Sequence, residues 1–227
     1  MHDPKEIAGR AAVDLVADGM RLGLGTGSTV HYALVRLGER IRAERLNVRG
    51  VPTSLATERE ARALGIPLAT LDEVDALDLT IDGADEIDGR FDMIKGGGGA
   101  LLREKVVASV SARVAIVAGA SKLVGRLGTT FPLPVEVAPF AHRTVGRALS
   151  RLGCDPVLRK KGDATLVTDN GNWILDCRFA DGIEDPAELE VRIDRIPGVV
   201  ESGLFVGLAH ALYLGRDDGS CDVRVRT

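Results

Sequence analysis

Apolar residues recur at three- and four-residue intervals in several long stretches of this chain and cluster in short runs between them. These two patterns distinguish amphipathic helices from buried strands. Asp3 followed by Pro4 predicts a capped helix running to about residue 18 and ended by Gly19. Residues 21–25 read as a short strand, 29–44 as a long amphipathic helix, 48–51 as a second strand, and 55–64 as a helix that stops at Gly65. Residues 77–82 (LDLTID) form a buried-type strand, 100–110 a helix after a four-glycine loop, and 113–118 (RVAIVA) another strand. Strands separated by helices of this length imply parallel pairing with helices on both faces of an open sheet.

The rhythm changes after Phe131-Pro132-Leu133-Pro134. Residues 135–137 look like a strand and 143–152 like a helix. Residues 158–159, 165–168 and 173–177 look like antiparallel strands around the turn Asp169-Asn170-Gly171. A helix at 188–196 and a strand at 198–204 complete a small α+β unit, after which ALYLG and CDVRV return to the main sheet or its edge. The expected architecture is therefore α/β. Residues 1–130 and 206–227 would form an open, mostly parallel, Rossmann-like sheet, and 131–205 a smaller α+β domain offering an oligomer contact.

Composition narrows the function classes. With 227 residues, 45% hydrophobic and 27% charged, the chain can bury a sizeable core. A net charge of −4 with both signs interspersed argues against nucleic acid or an anionic membrane as partner. The opening residues lack signal-peptide order, and no apolar run nears the ~18 residues that span a bilayer. Cys154, Cys177 and Cys221 are scattered, which fits a reducing cytoplasm. His2, His31, His142 and His210 show no zinc-ligand spacing, so no metal site is expected from them.

Three segments carry candidate chemistry. Gly23-Leu24-Gly25-Thr26-Gly27-Ser28-Thr29 follows a strand and opens a helix, where glycines let backbone approach an anion and exposed N–H groups bind phosphate. Its spacing is GxGxGST rather than the dinucleotide GxGxxG, and it lacks the Lys-Ser/Thr ending of a Walker loop. The bland alternative is a tight turn with a Ser cap. Thr80-Ile81-Asp82-Gly83-Ala84-Asp85-Glu86-Ile87-Asp88 delivers carboxylates to the end of a strand, where open parallel sheets bind ligands. A solvated acidic turn or a divalent-metal site would use the same residue types. Lys95-Gly96-Gly97-Gly98-Gly99 precedes a helix carrying Glu104, which alone reads as a surface residue in an REK run.

Together these segments closely resemble the signatures of the ribose-5-phosphate isomerase type A family: GLGTGST, TIDGADEID and KGGGGALLREK. The resemblance continues through Ala120-Ser121-Lys122-Leu123, VTDNGNWILD (167–176) and IPGVVESGLF (196–205), in order along nearly the whole chain. It implies a cofactor-free, metal-free aldose–ketose isomerisation with Glu104 as the base. It also implies Lys95 against the developing oxyanion, and Asp82 and Asp85 on the sugar hydroxyls, with Asp82 assisting ring opening. The substrate would be a pentose 5-phosphate. Thr26, Gly27, Ser28 and Thr29 would hold its phosphate, and Gly83, Ala84, Gly96, Gly97 and Gly98 would line the sugar. Lys5 matches a phosphate-contacting lysine, which would have to fold back over the site, and Lys122 a substrate-site lysine. The resemblance further implies a homodimer or homotetramer.

Two other classes compete, a non-catalytic sensor and a related enzyme, the second being either a deaminase or a CoA transferase. A sugar-phosphate sensor on the same fold would not need the set Asp82, Lys95 and Glu104. A related amino-sugar-phosphate deaminase would need a ring-opening His near the acidic loop, and none lies between His31 and His142. A CoA transferase would need a CoA groove that no segment supplies.

Overall fold

The computed structural model describes residues 3–226. In chain order its elements are α1 (Pro4–Ala12), β1 (Arg21–Leu24), α2 (Ser28–Glu44), β2 (Arg49–Pro52), α3 (Leu55–Ala63), β3 (Leu79–Asp82), β4 (Glu86–Ile87), β5 (Met93–Ile94), α4 (Leu101–Ser109) and β6 (Val114–Gly119). There follow β7 (Leu133–Val137), α5 (His142–Ser150), β8 (Asp155–Leu158), β9 (Lys160–Lys161), β10 (Ala164–Thr165), β11 (Trp173–Arg178), α6 (Pro186–Asp194), β12 (Val199–Ser202), β13 (Leu204–Phe205), β14 (Ala211–Gly215) and β15 (Cys221–Val225). Asp3 caps α1 as its sequence predicts, accepting from Lys5 N at 2.9 Å. The helix ends earlier than residue 18, in a 3-10 turn at Val13–Leu15. Arg40 donates to the Val13 and Val16 carbonyls at 2.8 and 3.1 Å, satisfying groups that a further helical turn would otherwise use. Among the described residues no helix is long and apolar enough to cross a membrane.

The chain forms two compact units. The first takes residues up to Ala84, Arg103–Lys122, and the stretch from Leu208 onward. Its sheet has the order β2-β1-β3-β6-β14-β15, parallel throughout except for the antiparallel edge strand β15. The strand order reverses between β1 and β3, which places a crevice at their carboxyl ends. Alternation along the strands sorts the two faces. Leu22, Leu24, Leu79, Ile81, Ala115 and Val117 meet α1 and α2 residues such as Ala8, Val30 and Leu34. On the opposite face Val51 and Leu77 pack with Val107 of α4.

The second unit takes Asp85–Leu102 and Leu123–Gly207. An antiparallel sheet β12-β7-β11-β8 packs Leu133, Val135 and Leu175 against Val145 and Leu149 of α5 and Ile193 of α6. Buried Glu136 of β7 accepts from Thr168 Oγ1 at 2.8 Å and Asn172 Nδ2 at 2.9 Å, so the TDNGN turn is tied to the sheet by its own side chains. The division differs from the boundaries read in the sequence, because residues 85–102, 123–130 and 206–207 fall in this unit. The reason is pairing: β4 and β5 join β13 in a three-stranded sheet, and Val124 N donates to Ile87 O at 2.9 Å.

Candidate functional site

In the first unit the phosphate-loop segment leaves β1 and enters α2. Gly25 N donates to Ile81 O at 3.0 Å, and a β-carbon at Gly25 would stand 2.2 Å from Asp82 Oδ1. Residue 25 therefore has to be glycine for Asp82 to lie where it does. Asp82 Oδ1 accepts from Thr26 N at 3.1 Å and Gly83 N at 2.7 Å. Thr26 Oγ1 donates to Ser54 Oγ at 2.9 Å and lies 2.8 Å from Thr53 Oγ1, while Thr57 Oγ1 donates to Gly25 O at 2.8 Å. Thr26 is thus turned inward, onto a cluster of hydroxyls at the start of α3. Gly27, with φ 126°, precedes α2 and makes no side-chain cap to it. Gly27 and Ser28 are exposed and Thr29 half-buried, so the N-terminus of a 17-residue helix opens outward there.

Glu104 lies in the first turn of α4, and its position follows from three contacts. Ala112 N donates to Leu77 O at 2.8 Å and Ser111 Oγ meets Thr80 Oγ1 at 2.6 Å, which fixes the far end of the helix beside the start of β3. Val107 packs over Gly23, where a β-carbon would come within 2.6 Å of Val107 Cγ1. Glu104 is one turn before Val107 on the same helical face, towards the carboxyl edge of the sheet. Asp82 follows Thr80 on that same face of β3. The two carboxylates share one side of the sheet at its carboxyl edge, and both are buried, at 2% and 4% exposure.

Two lysines reach the same edge. Lys122 ends the short turn Ala120–Lys122 directly after β6 and is half-buried. Lys5 is exposed in the first turn of α1. The preceding Pro4 sits over Gly119 and Gly215, which end β6 and β14. Lys5 therefore needs no fold-back, because α1 starts at the carboxyl edge. Tyr32 donates to Asp3 Oδ2 at 2.8 Å. That bond, with the Lys5 N–H, holds the Asp3 carboxyl below its usual range and raises the Tyr32 phenol.

In the second unit Lys95 is 3% exposed; its N–H donates to Gly203 O at 2.9 Å and its ammonium lies 5.4 Å from the Phe205 ring centre. Gly97 N donates to Asp85 Oδ2 at 2.7 Å. Gly96 has φ 103°, a value few side chains tolerate, and Gly97 and Gly98 are exposed. Gly83 and Ala84, half-buried, link Asp82 to Asp85 along the chain.

The other acidic residues of TIDGADEID serve the fold. Glu86, fully buried, accepts from Gly128 N, Thr130 N and Phe131 N at 2.5–2.7 Å. Asp88 Oδ1 accepts from Arg90 N and Asp92 N at 2.8 and 3.0 Å. Among the described residues no group of three or more His, Cys, Asp or Glu side chains is placed to hold a metal ion. His2 lies outside the described residues.

Comparison with known proteins decides the family. Residues 49–219 match the family model of ribose 5-phosphate isomerase A (phosphoriboisomerase A). The chain is 56% identical over 220 residues to ribose-5-phosphate isomerase A of Gloeobacter violaceus, covering 96% of this chain and 94% of that one. The chain belongs to the ribose 5-phosphate isomerase A family. Among solved structures it is similar to ribose 5-phosphate isomerase A of Methanocaldococcus jannaschii, at 42% identity with a TM-score of 0.92 over 97% of both chains. It is also similar to a D-ribose-5-phosphate isomerase solved in complex with phospho-erythronic acid, at 36% identity with a TM-score of 0.95 over 99% of this chain and 100% of that chain. Two features of this ribose 5-phosphate isomerase A family member had no signal in the sequence. The hydroxyl cluster of Thr53, Ser54 and Thr57 depends on β2 pairing beside β1, and Arg159, which bonds the glycine loop, is one charge among three in the basic run Arg159-Lys160-Lys161.

Proposed function

We propose that this isomerase interconverts D-ribose 5-phosphate and D-ribulose 5-phosphate through an enediol(ate), with Glu104 moving the proton between C2 and C1. The reading is carried by the placement of Glu104 and Asp82 on one side of the sheet, at the edge where the α2 N-terminus opens. Glu104 takes the C2 proton of the open-chain aldose, and the C2–H electron pair becomes the C1–C2 double bond while charge moves onto O1. A proton passes from O2 to O1, Glu104 returns its proton to C1, and C2 is left as the ketone. Atoms and electrons balance within the substrate, so the reading needs no redox cofactor and gives no step to a metal. Lys95 stabilises the developing oxyanion. Asp82 and Asp85 hold sugar hydroxyls, and Asp82 also assists ring opening.

The phosphate is assigned to Gly27, Ser28 and Thr29 at the helix N-terminus, with Lys5 and Lys122 adding positive charge from the same edge. Thr26 shapes this loop rather than donating its hydroxyl, since that group is directed to Ser54. The relative bound to phospho-erythronic acid supports the chemistry, because a phosphorylated acid carries its carboxylate where an enediolate carries charge. We further place the protein in the cytoplasm as a homodimer or homotetramer, its second unit making the contact. That unit exposes Phe140, Val157 and Val167, apolar groups that a second copy would cover.

The test is direct. Purified, chelator-treated protein should convert ribose 5-phosphate to a ketose with no added metal and incorporate solvent deuterium at C1. Binding without turnover would leave a sensor. Activity restored only by a divalent ion would move Asp82 and Asp85 into a metal-ligand role.

A further inference from the structure

A single peptide unit of the glycine loop, the one joining Gly96 to Gly97, is held from both ends within the second unit. Its carbonyl accepts from Arg159 Nη1 at 2.7 Å, and its N–H donates to Asp85 Oδ2 at 2.7 Å. Arg159 also reaches the Gly97 carbonyl, at 3.2 Å. The guanidinium is itself immobilised: Nε and Nη2 make a forked pair with Asp176 at 2.9 and 2.5 Å, leaving Arg159 only 11% exposed along its side chain. Its backbone is fixed too, donating to Ile174 O at 2.9 Å and accepting from Leu166 N at 3.0 Å.

Four successive glycines have little preference for any one conformation. Something outside the run must select the one in which Gly96 takes φ 103° and Gly97 N–H faces Asp85. A β-carbon at residue 97 would come within 2.5 Å of Asp85 Oδ1, so the close approach also depends on the missing side chain. Hydrogen bonds at the two ends of one amide polarise each other, so the Arg159 bond strengthens the one to Asp85. We infer that Arg159, oriented by Asp176, is a positioning residue for the isomerisation: it sets the Lys95–Gly98 backbone and the Asp85 carboxylate in their reactive arrangement. This inference rests on the proposed isomerase reading and extends it to two residues that touch no substrate in that reading.

The experiment uses the full-length protein and the variants Arg159→Met, Arg159→Lys and Asp176→Asn. Amide hydrogen exchange reads the clamp without requiring activity. Exchange at Gly97 should quicken in Arg159→Met and Asp176→Asn, with the β7 and β11 amides unchanged. Steady-state kinetics reads the consequence. The kcat for ribose 5-phosphate should fall on the order of 10- to 10²-fold in Arg159→Met, the scale of a small misplacement in an active site, with a smaller change in KM. Arg159→Lys, which keeps the charge on a single donor nitrogen but loses the planar fork, should recover part of the loss. Unchanged Gly97 exchange overturns the clamp, and quickened exchange with unchanged kcat overturns its positioning role. Should Arg159→Met not fold, Arg159→Lys and Asp176→Asn decide by the same two readings. A wild-type protein that forms no ketose would instead overturn the isomerase reading, while exchange still judges the clamp.

Discussion

Gly215 lies against Pro4 so closely that a β-carbon on residue 215 would stand 1.8 Å from the Pro4 carbonyl oxygen. The neighbour is backbone, so it cannot swing aside as a side-chain tip does. Gly119, the partner of Gly215 across β6 and β14, completes the seat, with its β-carbon position 3.9 Å from Pro4 Cβ. The turn that rests there carries Lys5. Gly215→Ala should lift that turn, raise KM for ribose 5-phosphate, and cost about 1–3 kcal/mol of stability through overpacking. Kinetics alongside denaturant unfolding checks both. A loss of stability with an unchanged KM would remove Lys5 from the phosphate site.

Glu104→Gln preserves size and helix position but removes the basic carboxylate. Turnover should fall on the order of 10²–10⁴-fold, the usual share of a general base. Exchange of the substrate's C2 hydrogen with solvent should fall in parallel. If Glu104→Gln exchanged that hydrogen at a near-normal rate while Asp82→Asn did not, Asp82 would be the base.

Removing the outward hydroxyls of the loop, Ser28→Ala with Thr29→Ala, should act chiefly on KM, because the phosphate is remote from the reacting carbons. Thr26→Val should behave differently. Its hydroxyl donates to Ser54, so its loss should appear first as lowered thermal stability. Equal KM effects from both changes would contradict the inward assignment of Thr26.

Alkaline stability should depend on the β14–β15 edge. Burial raises the Tyr213 phenol above its ordinary 10.0 and the Cys221 thiol above its ordinary 9.0. Both groups are neutral when protonated, so their contribution is fully present below those ordinary values. As pH rises past them, the unfolded chain releases protons that the folded chain keeps, and stability is lost until the folded groups titrate in turn. The urea midpoint should therefore decline from about pH 9 upward. Tyr213→Phe should flatten the part of the decline above pH 10, and an identical profile in that variant would refute the assignment.

The legible parts of the fold were those with a long period or a strong stop signal. α2 and α3 fall within two residues of their sequence-read limits, because α2 carries a long amphipathic period and Gly65 stops α3. α6 starts earlier than read, since Asp185 caps it and accepts from Glu188 N. β4 and β5 are two residues each, too short to show alternation; they pair with each other, and the strand that β5 pairs with on its other side, β13, lies about a hundred positions away. At the site, Asp82 could be placed at a strand end from LDLTID alone. Glu104 could not: the sequence around it reads as helix surface, and its burial follows from Gly23 admitting Val107 one turn further along. The motif resemblance, not the local pattern, singled it out. Glu86 looked like part of an acidic turn because the N–H groups that satisfy it come from residues 128–131.

The seat beneath Pro4 also orders events in time. Synthesis runs from residue 4 towards residue 215, so α1 emerges from the ribosome long before the strand that completes its resting place. Until residues 211–215 arrive, α1 can pack on α2 through Gly9 and Thr29 but finds no β14 beneath its first turn. Contacts this distant in sequence close late and slowly. A nascent chain halted before residue 211 should thus carry a loose, protease-accessible opening turn, and Lys5 should be the last of the charged groups at the carboxyl edge to be locked into position.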